Sequence, residues 1–364
     1  MAKAKRLGVL TSGGDCAGLN AVIRAVTFRA TRTYKWEVFG IRDGTQGLMS
    51  RPLDYLKLGH NTFIGDVLRA GGTFLGTTNK GNPFAYPMPD GTLKDRSGDV
   101  SDGYHELGLS ALIVIGGDGS MRIVRRLAQQ GDMKIVGVPK TIDNDVRYTE
   151  YAVGFTTAVN TCVDAMDRLA PTAASHHRIM ILETMGRDTG HLALNSGIAG
   201  GADVILIPEI PYTLAGIVAK IRSVQEEGRN HALIVVAEGC RTEKGEAVTV
   251  AQGGGEVRYG GIGQYLSASL ASQMNSEIRV TVLGHVQRGG TPSARDRVIA
   301  SAFGVHAVDL VAQGKFDRMV AWHDRGVIDV PLASVVEGSR VIDPMGAIAQ
   351  TARGLGIYIG DDPH

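Results

Sequence analysis

The feature that most constrains this chain is a recurring unit, a short unbroken apolar run that ends in a glycine-rich or polar turn. The runs are Leu7–Leu10, Val38–Ile41, Leu112–Ile115, Ile135–Val138, Ile179–Leu182, Val204–Ile207, Leu233–Ala237, Val280–Leu283 and Met319–Trp322. A strand covered on both faces has no solvent side and needs no polar alternation, so such runs read as buried parallel strands. Helical patterns lie between them, as in LNAVIRAVTFRATR, SMRIVRRLAQQG and TLAGIVAKIRSVQEEG. Strand and helix alternating over 364 residues predict an α/β chain with open, mainly parallel sheets, divided into two domains.

Charge excludes some partners. Lys and Arg number 38 against 37 Asp and Glu, a formal net charge of +1, which argues against a nucleic-acid or membrane-surface protein. Cys16, Cys162 and Cys240 are far apart and form no CxxC pair, so neither a zinc site nor a disulfide framework is expected. The opening MAKAKRLGVL runs into a strand pattern rather than a signal peptide, and no apolar stretch has the ~18 residues a membrane helix needs. Together these predict a cytoplasmic protein. Two stretches break the rhythm: Asn82–Asp99, with three prolines, reads as an exposed excursion, and Glu243–Gly263, with its GGG and GG, as a flexible loop.

The polar residues are concentrated where the apolar runs stop: TSGGD, GGDGS, PKTIDND, ETMGRD, AEG and GHVQRGG. Open α/β sheets bind ligands outside the carboxyl ends of their strands, so this pattern predicts a crevice lined by strand ends. The 49 glycines suit backbone that approaches a ligand closely. In GGDGS, Gly116 to Ser120, backbone N–H groups and a helix N-terminus would face phosphate oxygens, and Asp118 would hold a magnesium ion bridging them. The same string also fits a plain strand-to-helix turn with Ser120 as N-cap. TSGGD, Thr11 to Asp15, is a second such turn, and two in one sheet favour a polyphosphate. Neither is a GxxxxGK[ST] loop or a GxGxxG fingerprint.

In TIDND, Asp143 and Asp145 lie two apart, on one side of an extended segment, where one takes a hydroxyl proton and its neighbour fixes geometry or metal. An Asx-rich turn is the other reading. Arg178, Arg187, Arg279 and Arg288 stand at strand ends or in glycine-rich turns and suit bidentate contacts to an anion. His285, three residues before Arg288, faces the same anion or is a core histidine. The inventory specifies phosphoryl transfer onto a hydroxyl of a phosphorylated small molecule.

TSGGDCAGLNAVIR, GGTFLG, IGGDGS, PKTIDND, SHHRIMILETMGRDTG and TVLGHVQRGGTPSARDR, in that order, resemble the 6-phosphofructokinase family from about Leu7 to Arg297. The resemblance implies two Rossmann-like three-layer domains, 1–154 plus 287–337 for the phosphoryl donor and 155–286 plus 338–364 for fructose 6-phosphate. It implies transfer from ATP to the 1-hydroxyl, with Mg2+, in a homotetramer with shared sites. Asp143 matches the general base and Asp118 the magnesium-associated aspartate. Gly14, Gly117, Gly119 and Ser120 match donor contacts, with Lys140, Asn79 and Lys80 placed beside them; the family's usual ATP-holding arginine after GGTFLG is missing from GTTNKGNPF. Thr141, Asp145, Met185, Gly186, Arg187 and Glu238 match positions around the sugar phosphate, Thr141, Asp145 and Arg187 also serving catalysis. His285 and Arg288 match further phosphate contacts, while Arg178 and Arg279 match arginines that reach a neighbouring subunit's substrate.

Two positions pull apart on the donor. Gly119 is typical of ATP users, since the aspartate of pyrophosphate users would crowd and repel the α-phosphate of ATP. Lys140 is typical of pyrophosphate users. Steric exclusion is harder to evade than a spare charge, so Gly119 decides for ATP. A pyrophosphate-dependent enzyme is the nearest alternative, followed by an NAD-phosphorylating kinase with GGDG and a silent sugar-phosphate sensor. Phe28 and Ala170 replace effector-site arginines of bacterial relatives, whereas Asp203 keeps an acidic group there.

Overall fold

The computed structural model describes residues 5–79, 81–251 and 257–360. They divide into two compact units, Met1–Thr157 with Arg288–Arg340 and Ala158–Gln287 with Val341–His364.

The first unit is built on an eight-stranded sheet. From edge to edge it runs Gly326–Pro331, Arg318–His323, Ile135–Thr141, Ala111–Gly116, Arg6–Thr11, Glu37–Ile41 and Tyr55–Leu58, and the two-residue strand Val153–Gly154 pairs with the end of Ile135–Thr141. The interior is parallel and the two outer pairs are antiparallel. Every residue of Ala111–Gly116 is buried, as its unbroken apolar run requires. Leu112, Ile113, Val114 and Ile115 each contribute roughly 1.5–3 kcal/mol by leaving water. The edge strands Tyr55–Leu58 and Gly326–Pro331 are half exposed and lack that signature.

Register decides what the strand ends can do. Thr11 pairs with Ile115, and Gly116 with Pro139. The carboxyl ends of three neighbouring strands therefore stop at one level, with TSGGD, GGDGS and TIDND side by side. Buried Asp296 braces this edge from the start of helix Ala294–Ala312. It accepts hydrogen bonds from the N–H groups of Gly154 (2.9 Å) and Thr157 (2.7 Å) and from the Thr157 hydroxyl (2.5 Å). Burial pushes its carboxyl pKa up, against these hydrogen bonds.

The second unit holds a four-stranded, fully parallel sheet in the order Val204–Leu206, Ala232–Ala237, Ile179–Thr184, Ile278–Val282. Its core takes Ile181, Leu182, Ile205, Val235 and Val236 from the strands. Helix Ile262–Ala271 begins on the buried Glu183, whose carboxylate accepts the N–H groups of Gly261 (3.1 Å) and Gly263 (2.9 Å).

The two excursions are more ordered than their composition suggests. Tyr86–Pro87 pairs with Leu93–Lys94, and a helix starts at Ser97. Within Glu243–Gly263, Thr249–Ala251 pairs antiparallel with Val257–Tyr259. Cys16, Cys162 and Cys240 are buried free thiols. Among the described residues no helix is long and apolar enough to cross a membrane.

Candidate active site

In the first unit the three strand ends assemble a compact polar edge. Ser12 N donates to the Ile115 carbonyl at 2.9 Å and Gly13 N to Thr78 O at 3.0 Å, which pins TSGGD against the neighbouring strand. Gly13 has φ 83, the left-handed region that glycine enters without a Cβ penalty. Behind the loop lies Lys140, 4% exposed, whose Nζ donates to the Gly14 carbonyl in a very short contact. Burial lowers the Lys140 pKa, with Arg288 adding to the effect while Cys16, Asp15 and Asp143 oppose it. The Arg288 guanidinium braces the same loop, donating to Asp15 O at 3.2 Å.

Helix Asp118–Gln130 begins directly after GG, with Gly117 as a cap that has no side chain. Ser120 is thus inside the first turn and is not the N-cap. Asp118 stands at the positive end of this helix, and Ser339 Oγ donates to it at 3.5 Å. A Cβ built on Gly119 would meet no atom within 4 Å. Nothing in the protein's packing demands glycine there.

TIDND is a turn and not the extended segment the spacing suggested. Asp143 N donates to Thr141 Oγ1 at 3.0 Å, Thr141 Oγ1 donates to Asp143 Oδ2 at 3.4 Å, and Asn144 has φ 53. Asp143 and Asp145 are buried all the same, at 9% and 6% exposure. Burial pushes the Asp145 carboxyl up to about 7, with the charges of Asp143 and then Asp118 adding to it. Three carboxylates therefore feel one another here. Arg340, which the sequence reading did not single out, closes the turn: its N–H donates to Asp145 O at 2.6 Å and its Nη2 to Asn144 O at 2.9 Å.

The second unit presents a different set at its own strand ends. Thr184 leads into Met185, Gly186 and Arg187. Arg187 has φ 53, its N–H donates to Glu238 Oε1 at 3.1 Å, and its guanidinium is exposed beside Asp188 (3.7 Å). Met185 N donates to Gln287 Oε1 at 3.1 Å. His285 is exposed in the turn Gly284–Arg288, which removes the core-histidine reading. Arg178 Nε and Arg279 Nη2 both donate to the carboxylate of Glu277. Asp203 is fully engaged, by Arg229 on one oxygen and by Leu233 N (2.9 Å) on the other. Within this chain it acts as a structural carboxylate. Asn79 is exposed, and Lys80 lies outside the described residues.

A phosphofructokinase family model matches residues 6–311. The chain belongs to the phosphofructokinase family. It is 57% identical over 362 residues to ATP-dependent 6-phosphofructokinase 1 of Synechocystis sp., covering 100% of both chains. Among solved structures it resembles phosphofructokinase of Saccharomyces cerevisiae, with a TM-score of 0.76 and 29% identity over 92% of this chain and 45% of the yeast chain. A pyrophosphate-dependent phosphofructokinase of Marinobacter aquaeolei superposes with a TM-score of 0.79 at 20% identity, over 99% of this chain and 93% of that one. That last likeness speaks for the phosphofructokinase fold alone.

The family implies a magnesium ion. Among the described residues no group of three or more His, Cys, Asp or Glu side chains could hold a metal by itself. Magnesium bound to phosphates needs only one or two carboxylates, with phosphate oxygens and water completing its shell. Asp118, 15% exposed at a helix start and electrostatically coupled to Asp145, is a donor of that kind. The residues present fit the ion.

Proposed function

We propose that this phosphofructokinase transfers the γ-phosphoryl group of ATP to the 1-hydroxyl of fructose 6-phosphate, giving fructose 1,6-bisphosphate and ADP, as a glycolytic kinase of the cytoplasm. The observation that carries the reading is the register of the first sheet. It sets two glycine-rich phosphate turns level with a buried carboxylate turn.

In this reading the N–H groups of TSGGD and GGDGS, with Gly14, Gly117, Gly119 and Ser120, cradle the donor phosphates. Lys140 acts from behind, holding the Gly14 carbonyl so that the loop keeps its shape. That contact gives Lys140 a role in holding the loop which does not depend on pyrophosphate, so it is compatible with Gly119 and ATP. Asp118 would hold magnesium, which when bound neutralises phosphate charge. Asp143 takes the proton from the 1-hydroxyl as the new O–P bond forms and ADP departs with its electron pair. Asp145, pushed up to about 7 chiefly by burial, is partly protonated near neutrality. This reduces the like charge around Asp143 and favours its ionised, proton-accepting form. Thr141 holds the Asp143 carboxylate in place.

The sugar phosphate is assigned to Met185, Gly186, Arg187, Glu238, His285 and Arg288. Arg178 and Arg279 are assigned to the substrate of a neighbouring subunit, and the active unit to a homotetramer; the 59% exposure of Arg279 supports a contact beyond its own chain.

Steady-state assays with ATP and with pyrophosphate test the reading. ATP should support turnover on fructose 6-phosphate, and Gly119→Asp should cut ATP kcat/KM by about 100-fold or more through crowding and like-charge repulsion. Unchanged ATP use in the variant, or turnover with pyrophosphate alone, would overturn the donor assignment.

A further inference from the structure

Glu243–Gly263 had no evident role in the sequence, yet its trailing end is fastened where the sugar-phosphate residues begin. Tyr259, the last residue of the hairpin strand Val257–Tyr259, donates its hydroxyl hydrogen to Asp188 Oδ1 at 2.8 Å. Asp188 follows Arg187, and its other oxygen lies 3.7 Å from the Arg187 Nε. Two residues beyond Tyr259, Gly261 N binds Glu183 Oε1, and Gly263 N binds Oε2. Glu183 belongs to the strand whose end delivers Met185, Gly186 and Arg187.

The insertion therefore grips one short segment at both ends, through Glu183 before Arg187 and through Asp188 after it. Arg187 itself has a positive φ, and its side chain extends into solvent with Asp188 as its one ion-pair partner among the described residues. Its direction depends on what holds Asp188.

We propose that Tyr259 is a positioning residue for fructose 6-phosphate binding: by holding Asp188 it fixes the rotamer and direction of the Arg187 guanidinium. This rests on the assignment of Arg187 to the sugar phosphate. Tyr259 touches no reacting atom and acts through Asp188. Losing its hydroxyl lets Asp188 and Arg187 sample more rotamers, so binding of substrate must then order them. The cost falls on fructose 6-phosphate affinity and not on the donor.

Steady-state kinetics on Tyr259→Phe test this, in wild-type and Asp188→Ala backgrounds. In the wild-type background KM for fructose 6-phosphate should rise about 2- to 5-fold, as one exposed hydrogen bond allows, with KM for ATP unchanged and any fall in kcat, to which Arg187 is also assigned, smaller than that rise. In the Asp188→Ala background the same change should have no further effect, because the bond is already gone. Equal rises in both backgrounds, an unchanged KM in the wild-type background, or parallel loss toward both substrates would overturn the proposal. Failure of the unmodified protein to phosphorylate fructose 6-phosphate would instead overturn the function on which it rests. Thermal unfolding of each variant separates loss of fold from loss of positioning.

Discussion

The two strand-end regions carry complementary chemistry in opposite physical states. In the first unit the polar groups are buried and hold one another: Lys140 on Gly14, Thr141 on Asp143, Arg340 on the TIDND backbone. In the second, Arg187 and Arg279 are 64% and 59% exposed, and their recorded partners are exposed carboxylates. A group that moves a proton works best dry and preorganised, since low dielectric enlarges every interaction and no reorganisation is needed during the reaction. A group that captures an anion must stay accessible until the anion arrives. The contrast predicts that changes in the first unit act on turnover or folding, and changes in the second on affinity.

The sharpest way to break that comparison is Asp143→Ser. If Asp143 is the general base proposed above, its loss should lower kcat by about 10²- to 10⁴-fold, while equilibrium binding of fructose 6-phosphate is retained. If binding falls in step with kcat, the buried turn is part of the anion site and the division fails.

A second test uses pH on the protein without substrate or added metal. The Asp145 pKa is raised from 3.8 to about 7 on folding, so the folded state holds the proton that the unfolded chain releases. Stability from this group is full below pH 4 and is lost as pH climbs through 7, by an amount on the order of a few kcal/mol. Asp145→Asn cannot ionise and lacks that loss. Its urea midpoint should gain on the unmodified protein between pH 5 and pH 8. A difference independent of pH would mean that Asp145 is not held in the buried, charge-crowded state described.

The same contrast separates what was legible in the sequence from what was not. Continuous apolar runs mark strands, and all nine overlap one, but Val280–Leu283 falls on the edge strand Ile278–Val282, which is not buried on both faces. Tyr55–Leu58 and Gly326–Pro331 escaped because edge strands alternate and stay half exposed. Local motifs located the glycine-rich turns proposed for phosphate, since glycine and the following helix are sequence neighbours. Contacts across long separations were invisible: nothing local says that Lys140 reaches Gly14, that Arg340 closes the TIDND turn, or that Asp296 braces Gly154. The alternative reading of Ser120 as an N-cap fails because the helix begins two residues earlier, at Asp118. Nothing near Asp203 in the sequence shows that Arg229 and Leu233 N occupy its two oxygens.

Glu277 offers the smallest and most discriminating effect. Its carboxylate accepts from both Arg178 and Arg279, and Arg178 in particular holds its pKa below the usual range. A phosphate would claim the same guanidinium hydrogens, so Glu277 is either a competitor for them or a brace that keeps the two arginines together. Glu277→Gln retains the shape and one acceptor oxygen but removes the charge. If Glu277 competes, KM for fructose 6-phosphate should fall by about twofold or less, the modest scale of exposed ion pairs, with KM for ATP unchanged. Added salt should shrink the difference, because screening already weakens the exposed pair in the unmodified protein. A rise in KM would identify Glu277 as a brace. The second region would then be preorganised like the first, and exposure alone would no longer distinguish a capturing site from a reacting one.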